Sequence, residues 1–239
     1  MLAVTASAGA GTLDQAQPVI SGTAGLVSPT NIWAQTFTNG VSGGLDRVDL
    51  AVARQGAGSV PLQVAIRPVS GGVPSGPALA SASVPAASIP LELTPTAFRS
   101  VALAPPAPVS AGVQYAIVVS SASCGFANCY AWAFGPAGNP YAAGSGFLSG
   151  DGGATWSPAN AFGSTDFAFK TYVLAPPTSK QQCKKGGWKR FANPSFKNQG
   201  RCVAYVNRHN GKGKDDVKST GNNHGSNGQG KKKGHDKKP

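Results

Sequence analysis

Arg47-Val48-Asp49-Leu50-Ala51-Val52-Ala53-Arg54 alternates residue by residue. Val48, Leu50 and Val52 fall on one face and Asp49, Ala51 and Ala53 on the other, a period of two that belongs to a strand and not to a helix. Residues 63–69 repeat the pattern, with Val64, Ile66 and Pro68 against Gln63, Ala65 and Arg67. Working outward, the same reading predicts strands at 32–38, 79–84, 98–103, 114–120, 130–134, 146–149 and 166–174. Between them lie Gly-Gly, Pro-Ser-Gly-Pro, Ala-Pro-Pro-Ala-Pro and Ser-Ala-Gly, which are turn or edge chemistry. Eight to ten short strands at this spacing imply an all-β fold, an antiparallel jelly-roll-like β-sandwich over residues 13–175. The proline-rich stretches 85–95 and 105–108 are expected at edge connections, because proline cannot donate to a central ladder. No internal repeat of blade length is present, which argues against a propeller.

The sandwich ends at a seam, Ala175-Pro176-Pro177-Thr178-Ser179-Lys180, where the chemistry changes. Residues 1–178 carry five basic and six acidic side chains, a net of −1, whereas residues 179–239 carry sixteen basic and three acidic ones, a net of +13. The overall charge of +12 therefore describes the C-terminal part and not the sandwich. After a linker at 176–180, residues 181–207 read as a small unit with few apolar side chains. A Cys183–Cys202 disulfide closing about twenty residues would contribute about 3 kcal/mol on the chain-entropy account. A helix is expected at 199–207 with Asn198 as its cap. Residues 208–239, rich in Gly, Asn and Lys, lack the apolar surface needed to offset ordering and are expected to be disordered.

Export is the expected fate of this chain. Residues 1–12 read as the remnant of a signal peptide, with Ala6-Ser7-Ala8 as the cleavage site and a start placed too late to include the charged front. Four cysteines in two local pairs, Cys124 with Cys129 and Cys183 with Cys202, fit disulfides formed in an oxidising compartment. Zinc is not expected, since neither C-x-x-C nor a spaced histidine pair occurs. No apolar run reaches the roughly 18 residues that a membrane span requires.

Few residues suggest chemistry. All three histidines (His209, His224, His235) lie beyond residue 207, and Glu92 is the only glutamate. A Ser-His-Asp site is thus absent from the sandwich, and a glycosidase would have to rely on aspartates that nothing marks as a pair. Ser149-Gly150-Asp151-Gly152-Gly153-Ala154-Thr155-Trp156 fits the S-x-D-x-G-x-T-W pattern of an Asp-box. There Ser149, Asp151, Gly153 and Thr155 would shape a turn and Trp156 would pack beneath it. Tyr130, Trp132, Tyr141 and Trp156 are the candidates for stacking on sugar rings. The favoured reading turns Trp132 and Phe134 inward on an alternating strand, with the Cys124–Cys129 bridge pinning an exposed loop. Asp46 and Asp49 are weak candidates for a structural Ca²⁺, and no other cofactor is expected. The basic tail reads first as a solubilising segment with no specific partner. As a binding segment it would attract anionic wall polymer, cell-envelope polysaccharide or a membrane surface, while nucleic acid is not expected, because its lysines lack interleaved aromatics.

Two segments carry a resemblance. The first holds D-Q-A-Q-P-V-I (14–20), W-A-Q-T-F-T-N-G-V-S-G-G-L-D-R-V-D-L (33–50), G-G-V-P-S-G-P-A-L-A-S-A-S-V-P (71–85) and S-A-G-V-Q-Y-A-I-V-V-S (110–120). It resembles β-sandwich domains of secreted actinobacterial proteins akin to the choice-of-anchor domains. The second, C-K-K-G-G-W-K-R-F (183–191) followed by F-K-N-Q-G-R-C-V (196–203), is similar to a short C-terminal module found after such domains. The resemblance implies an extracytoplasmic location and a jelly-roll-like fold, and it supplies no catalytic residues. The chain departs from the anchoring pattern in having no L-P-x-T-G motif, so the expected location is secreted or extracellular, with cell-wall association left to the basic tail. The expected function is a secreted or cell-surface, non-catalytic binding module for carbohydrate or envelope polymer. A structural or adhesive envelope protein is the alternative, and a glycoside hydrolase comes third.

Overall fold

In the computed structural model, residues 10–56, 60–124, 129–160 and 163–211 are described. The signal-peptide remnant at 1–9 and the tail at 212–239 lie outside them. The fold is all-β with two short helices, and every strand pairing is antiparallel. The strands are β1 (Thr12–Gln17), β2 (Ala24–Val27), β3 (Ile32–Thr38), β4 (Gly43–Leu50), β5 (Val52–Gln55), β6 (Leu62–Ser70) and β7 (Val73–Pro74). They continue with β8 (Ala80–Val84), β9 (Arg99–Val109), β10 (Gln114–Ser120), β11 (Cys129–Ala133), β12 (Gly146–Ser149), β13 (Ser157–Pro158) and β14 (Phe169–Leu174). Fourteen strands among the described residues exceed the eight to ten expected.

Three sheets result. Four strands run in the order β1-β14-β4-β9, three in the order β2-β11-β5, and seven form β13-β12-β3-β10-β6-β7 with β8 also on β6. Successive strands hop between sheets, as in a jelly roll. The deciding stretch shows how. Residues 47–54 are not one strand: β4 ends at Leu50, and β5 starts at Val52 in another sheet. At the corner, the Ala51 N–H donates to Ala168 O and the Ala133 N–H donates to Ala51 O. Ala51, Ala133 and Ala168 pack together there, so only a small side chain fits.

The main core draws on all three sheets. Trp33 and Phe37 of β3 and Tyr115, Ile117 and Val119 of β10 meet Leu45, Val48, Leu50, Val101 and Phe169 of the four-stranded sheet. Phe167 stacks on both Trp132 and Phe134, with ring centroids 4.4 Å apart in each case. Burying aromatics of this size contributes most of the transfer free energy in such a core.

Three boundaries differ from expectation. Thr12 belongs to β1, and the Gly11 N–H donates to Asp46 Oδ2 at 2.9 Å, so the fold starts before residue 13. The prolines at 105–108 lie inside β9 and not in a connection. They are tolerated because β9 is the outer strand of its sheet. Past the seam, α1 (Lys180–Cys183) begins inside the expected linker, and α2 (Gln199–Gly211) runs four residues beyond 207. Asn198 caps α2, accepting from the Arg201 N–H at 2.9 Å.

Candidate functional site

The Asp-box is built as a β12–β13 hairpin, with Phe147 opposite Pro158 and Leu148 opposite Ser157. Asp151 Oδ1 accepts from the Ala154 and Thr155 amides at 3.1 and 2.9 Å, and Oδ2 accepts from Thr155 Oγ1 at 2.6 Å. Ser149 Oγ lies 2.7 Å from Asp151 Oδ1 and accepts from the Gly153 N–H at 2.8 Å. Gly152 and Gly153 take φ of 77° and 93°, which a side chain would resist. These donors, the Thr155 hydroxyl first, hold the Asp151 carboxyl well below the usual carboxylate range. The side-chain oxygens of Ser149, Asp151 and Thr155 are therefore occupied in shaping the turn. The turn delivers Trp156 onto the outer face of the seven-stranded sheet, where it packs with Ala34, Ala116 and Val118.

The other aromatic candidates do not reach solvent. Tyr130, Trp132 and Tyr141 retain 2%, 0% and 8% of their exposure, which removes them as stacking platforms. For Tyr130 and Trp132 the reason is the position of β11 at the centre of its sheet with both faces covered, all five of its residues being buried, whereas Tyr141 turns into the main core edge-on to Phe169. Trp132 Nε1 donates to Ala168 O at 3.0 Å, Tyr130 donates to Val60 O, and Tyr141 donates to Gln15 Oε1 at 2.8 Å. Burial pushes the Tyr141 hydroxyl up to about 12. Cys124 and Cys129 are bridged, and Cys129 is the first residue of β11.

The two calcium candidates point to different tasks. Asp49 accepts from Ser100 Oγ at 2.7 Å and Tyr172 Oη at 2.8 Å and pairs with Arg47 Nε at 3.4 Å, which occupies both of its oxygens. Asp46 instead holds the start of β1 through Gly11. They do not converge as a shared ligand set.

A buried carboxylate that alternation could not reveal shapes the other side of the outer face. Asp166, with no exposure, accepts from Gln35 Nε2 at 2.9 Å, the Tyr141 N–H at 3.2 Å and Thr165 Oγ1 at 3.3 Å. Gln35 in turn accepts from the Phe167 N–H at 2.7 Å. Burial raises the Asp166 pKa, and the Gln35 bond opposes that rise. The pair lies 131 residues apart in sequence, so no local pattern announces it. Through Tyr141 it fixes the segment that continues into 142–145.

That segment walls an open groove of about 410 Å³ on the outer face, which sequence reasoning missed. Its floor is Thr36, Thr38, Gln114 and Phe147, and its wall runs from Ala142 to Ser145. Thr36 Oγ1 accepts from the Ser145 N–H at 2.9 Å and Thr38 Oγ1 donates to Ala143 O at 2.9 Å, so the threonines pin the wall. The Gln114 amide and the half-buried Phe147 ring are the side chains left to meet a ligand. No charged residue lines the groove. A scan of protein-family models finds no match to this chain, and neither does a search of the curated proteins.

The C-terminal unit has its own small core of Cys183, Phe191, Cys202 and Val206, closed by the Cys183–Cys202 disulfide. Leu174 at the end of β14 packs against it, and Asn193 Nδ2 donates to Val109 O at 2.8 Å. His209 was expected in the tail. It lies instead on α2, with its ring stacked 3.9 Å from that of Tyr205.

Proposed function

We propose that the protein is a secreted or cell-surface, non-catalytic binding module for carbohydrate, with the groove over β3 and β10 as its binding site. The observation that carries this reading is the lining: an amide, backbone and one aromatic ring left to meet a ligand, with no charge, on an outer sheet face. Such a surface suits a neutral polyhydroxylated ligand, which needs a few directional polar groups and a flat apolar contact. The two disulfides support an oxidising compartment, and no helix among the described residues is long and apolar enough to cross a membrane. The lysine-rich stretch 212–239 adds attraction toward anionic envelope polymer.

The test is a neutral-glycan array probed with the full chain, followed by Gln114→Ala and Phe147→Ala. Each substitution is expected to weaken a hit at least tenfold while leaving the thermal midpoint within a few degrees. Silence across the array would sink the carbohydrate reading and leave the structural or adhesive envelope role. A hit that neither substitution affects would move the site off the groove.

A further inference from the structure

The unit after the sandwich has a charge pattern that a neutral groove does not explain. Between residues 180 and 211 the sequence holds eight lysines and arginines and no aspartate or glutamate. Seven of the eight are exposed, and Arg190 is half-buried. Like charges on so small a scaffold repel one another, and with no acidic side chain in the segment their field is left for an outside counter-charge. The disulfide holds them in place regardless.

Three side chains organise one surface. Arg201, Tyr205 and Arg208 are spaced four and three apart on α2, which brings them to one helix face, with the two arginines about 10 Å apart along the axis. The Tyr205 ring is half-buried against the unit's core, with His209 stacked on one face at 26° and Phe196 edge-on at 5.4 Å, so it is fixed in orientation at a helix position between those of the two arginines. An arginine fork matches the oxygens of a phosphate, and a fixed aromatic face packs against a ring. A membrane surface fits less well. The large exposed apolar side chains among the described residues all precede residue 114, so this unit has none to insert.

We propose that the Arg201–Tyr205–Arg208 face of α2 binds a linear glycosyl-phosphate polymer, in which rings alternate with phosphodiesters. This goes beyond the groove reading and does not depend on it. The arginines take successive phosphates, the stacked tyrosine takes the intervening ring, and the remaining lysines add unspecific attraction.

The experiment titrates the oxidised full-length protein with a purified poly(N-acetylglucosamine 1-phosphate), whose pyranose rings alternate with phosphodiesters, at several salt concentrations. Substituting both arginines, Arg201→Gln with Arg208→Gln, is expected to weaken binding at least tenfold. It should also lower the slope of log K against log salt by about one per cation removed. Restoring charge with Arg201→Lys and Arg208→Lys should recover the slope but not the full affinity. Tyr205→Leu should weaken this polymer more than it weakens inorganic polyphosphate, which has no rings. A tail variant, Lys231→Gln with Lys232→Gln and Lys233→Gln, should keep that ring preference. Four results would overturn the proposal: unchanged binding by the double arginine variant, equal affinity for polygalacturonate, tighter binding to poly(dT), or tighter binding to phosphatidylglycerol vesicles. Groove substitutions should leave these curves unmoved, so failure here is distinguishable from failure of the carbohydrate reading.

Discussion

Asp166 is a carboxyl with no solvent exposure whose hydrogen-bond partners are all neutral: the Gln35 and Asn139 amides, a backbone N–H and a hydroxyl. Burial disfavours its charged form, and the Gln35 bond only partly offsets that. Its folded pKa therefore stands above the unfolded one. Such a group contributes stability in full below the unfolded pKa, and the contribution is lost as pH rises through the folded pKa. Replacing it with Asn removes the titration but turns an amide nitrogen toward a donor, Gln35 Nε2 or the Tyr141 N–H. Asp166→Asn is expected to cost about 1–3 kcal/mol. It should also flatten the pH dependence of stability just above the ordinary carboxylate range. Urea unfolding of both proteins between pH 3.5 and 7 measures this, and parallel curves would contradict the assignment.

At the scale of elements, the β12–β13 hairpin depends on one exposed carboxylate, since Asp151 gathers the turn that seats Trp156. Its pKa is depressed, so the turn's electrostatic support is present above the unfolded carboxylate pKa and is lost only as pH falls well below it. Asp151→Ala is expected to speed amide exchange at Ala154 and Thr155 and to raise acrylamide quenching of Trp156, referenced to Trp156→Phe. Protection in β3 and β10 should persist, and unchanged exchange at the two amides would refute this role. The hairpin was legible because its motif is local. So were β3, β10 and β12, short apolar runs bounded by turn residues. β1 was not, because Thr12–Gln17 is a polar outer strand with Leu13 57% exposed, and nothing in it alternates. The turn at Ala51 hid inside a perfect period of two, because alternation cannot report a change of sheet. The groove was hidden for a related reason: Thr36, Thr38, Gln114 and Phe147 occupy outward positions that read as ordinary solvent-facing residues. Trp132 and Phe134 point inward as the favoured reading had them, whereas Tyr130 is buried as well, because a central strand buries both faces and aromatic clustering alone does not say which way a ring points.

Over the whole molecule, two cores of unequal size share one chain. The sandwich core spans three sheets, whereas the C-terminal core has four buried residues. Their junction is narrow. Asn193 reaches Val109 O and Ser110 Oγ, Leu174 packs beneath, and Gly44 lets Ala192 approach so closely that an added Cβ would lie 3.2 Å from it. A core of four residues does not offset the conformational entropy of the roughly thirty residues it orders, at about 1–2 kcal/mol each for the backbone alone. The disulfide lessens this by restricting the unfolded unit, worth about 3 kcal/mol for a loop of this length. Cys183→Ser with Cys202→Ser is therefore expected to unfold the unit while the sandwich stays folded. Limited proteolysis with trypsin would show rapid cleavage after Lys184, Lys185 or Lys189 and survival of a fragment trimmed back no further than Lys180. The same variant should lose the ring preference for glycosyl phosphate, since Arg201 and Arg208 would no longer share a helix face. A single cooperative transition, with the sandwich lost alongside the unit, would instead mean that the Asn193 junction couples the two cores into one.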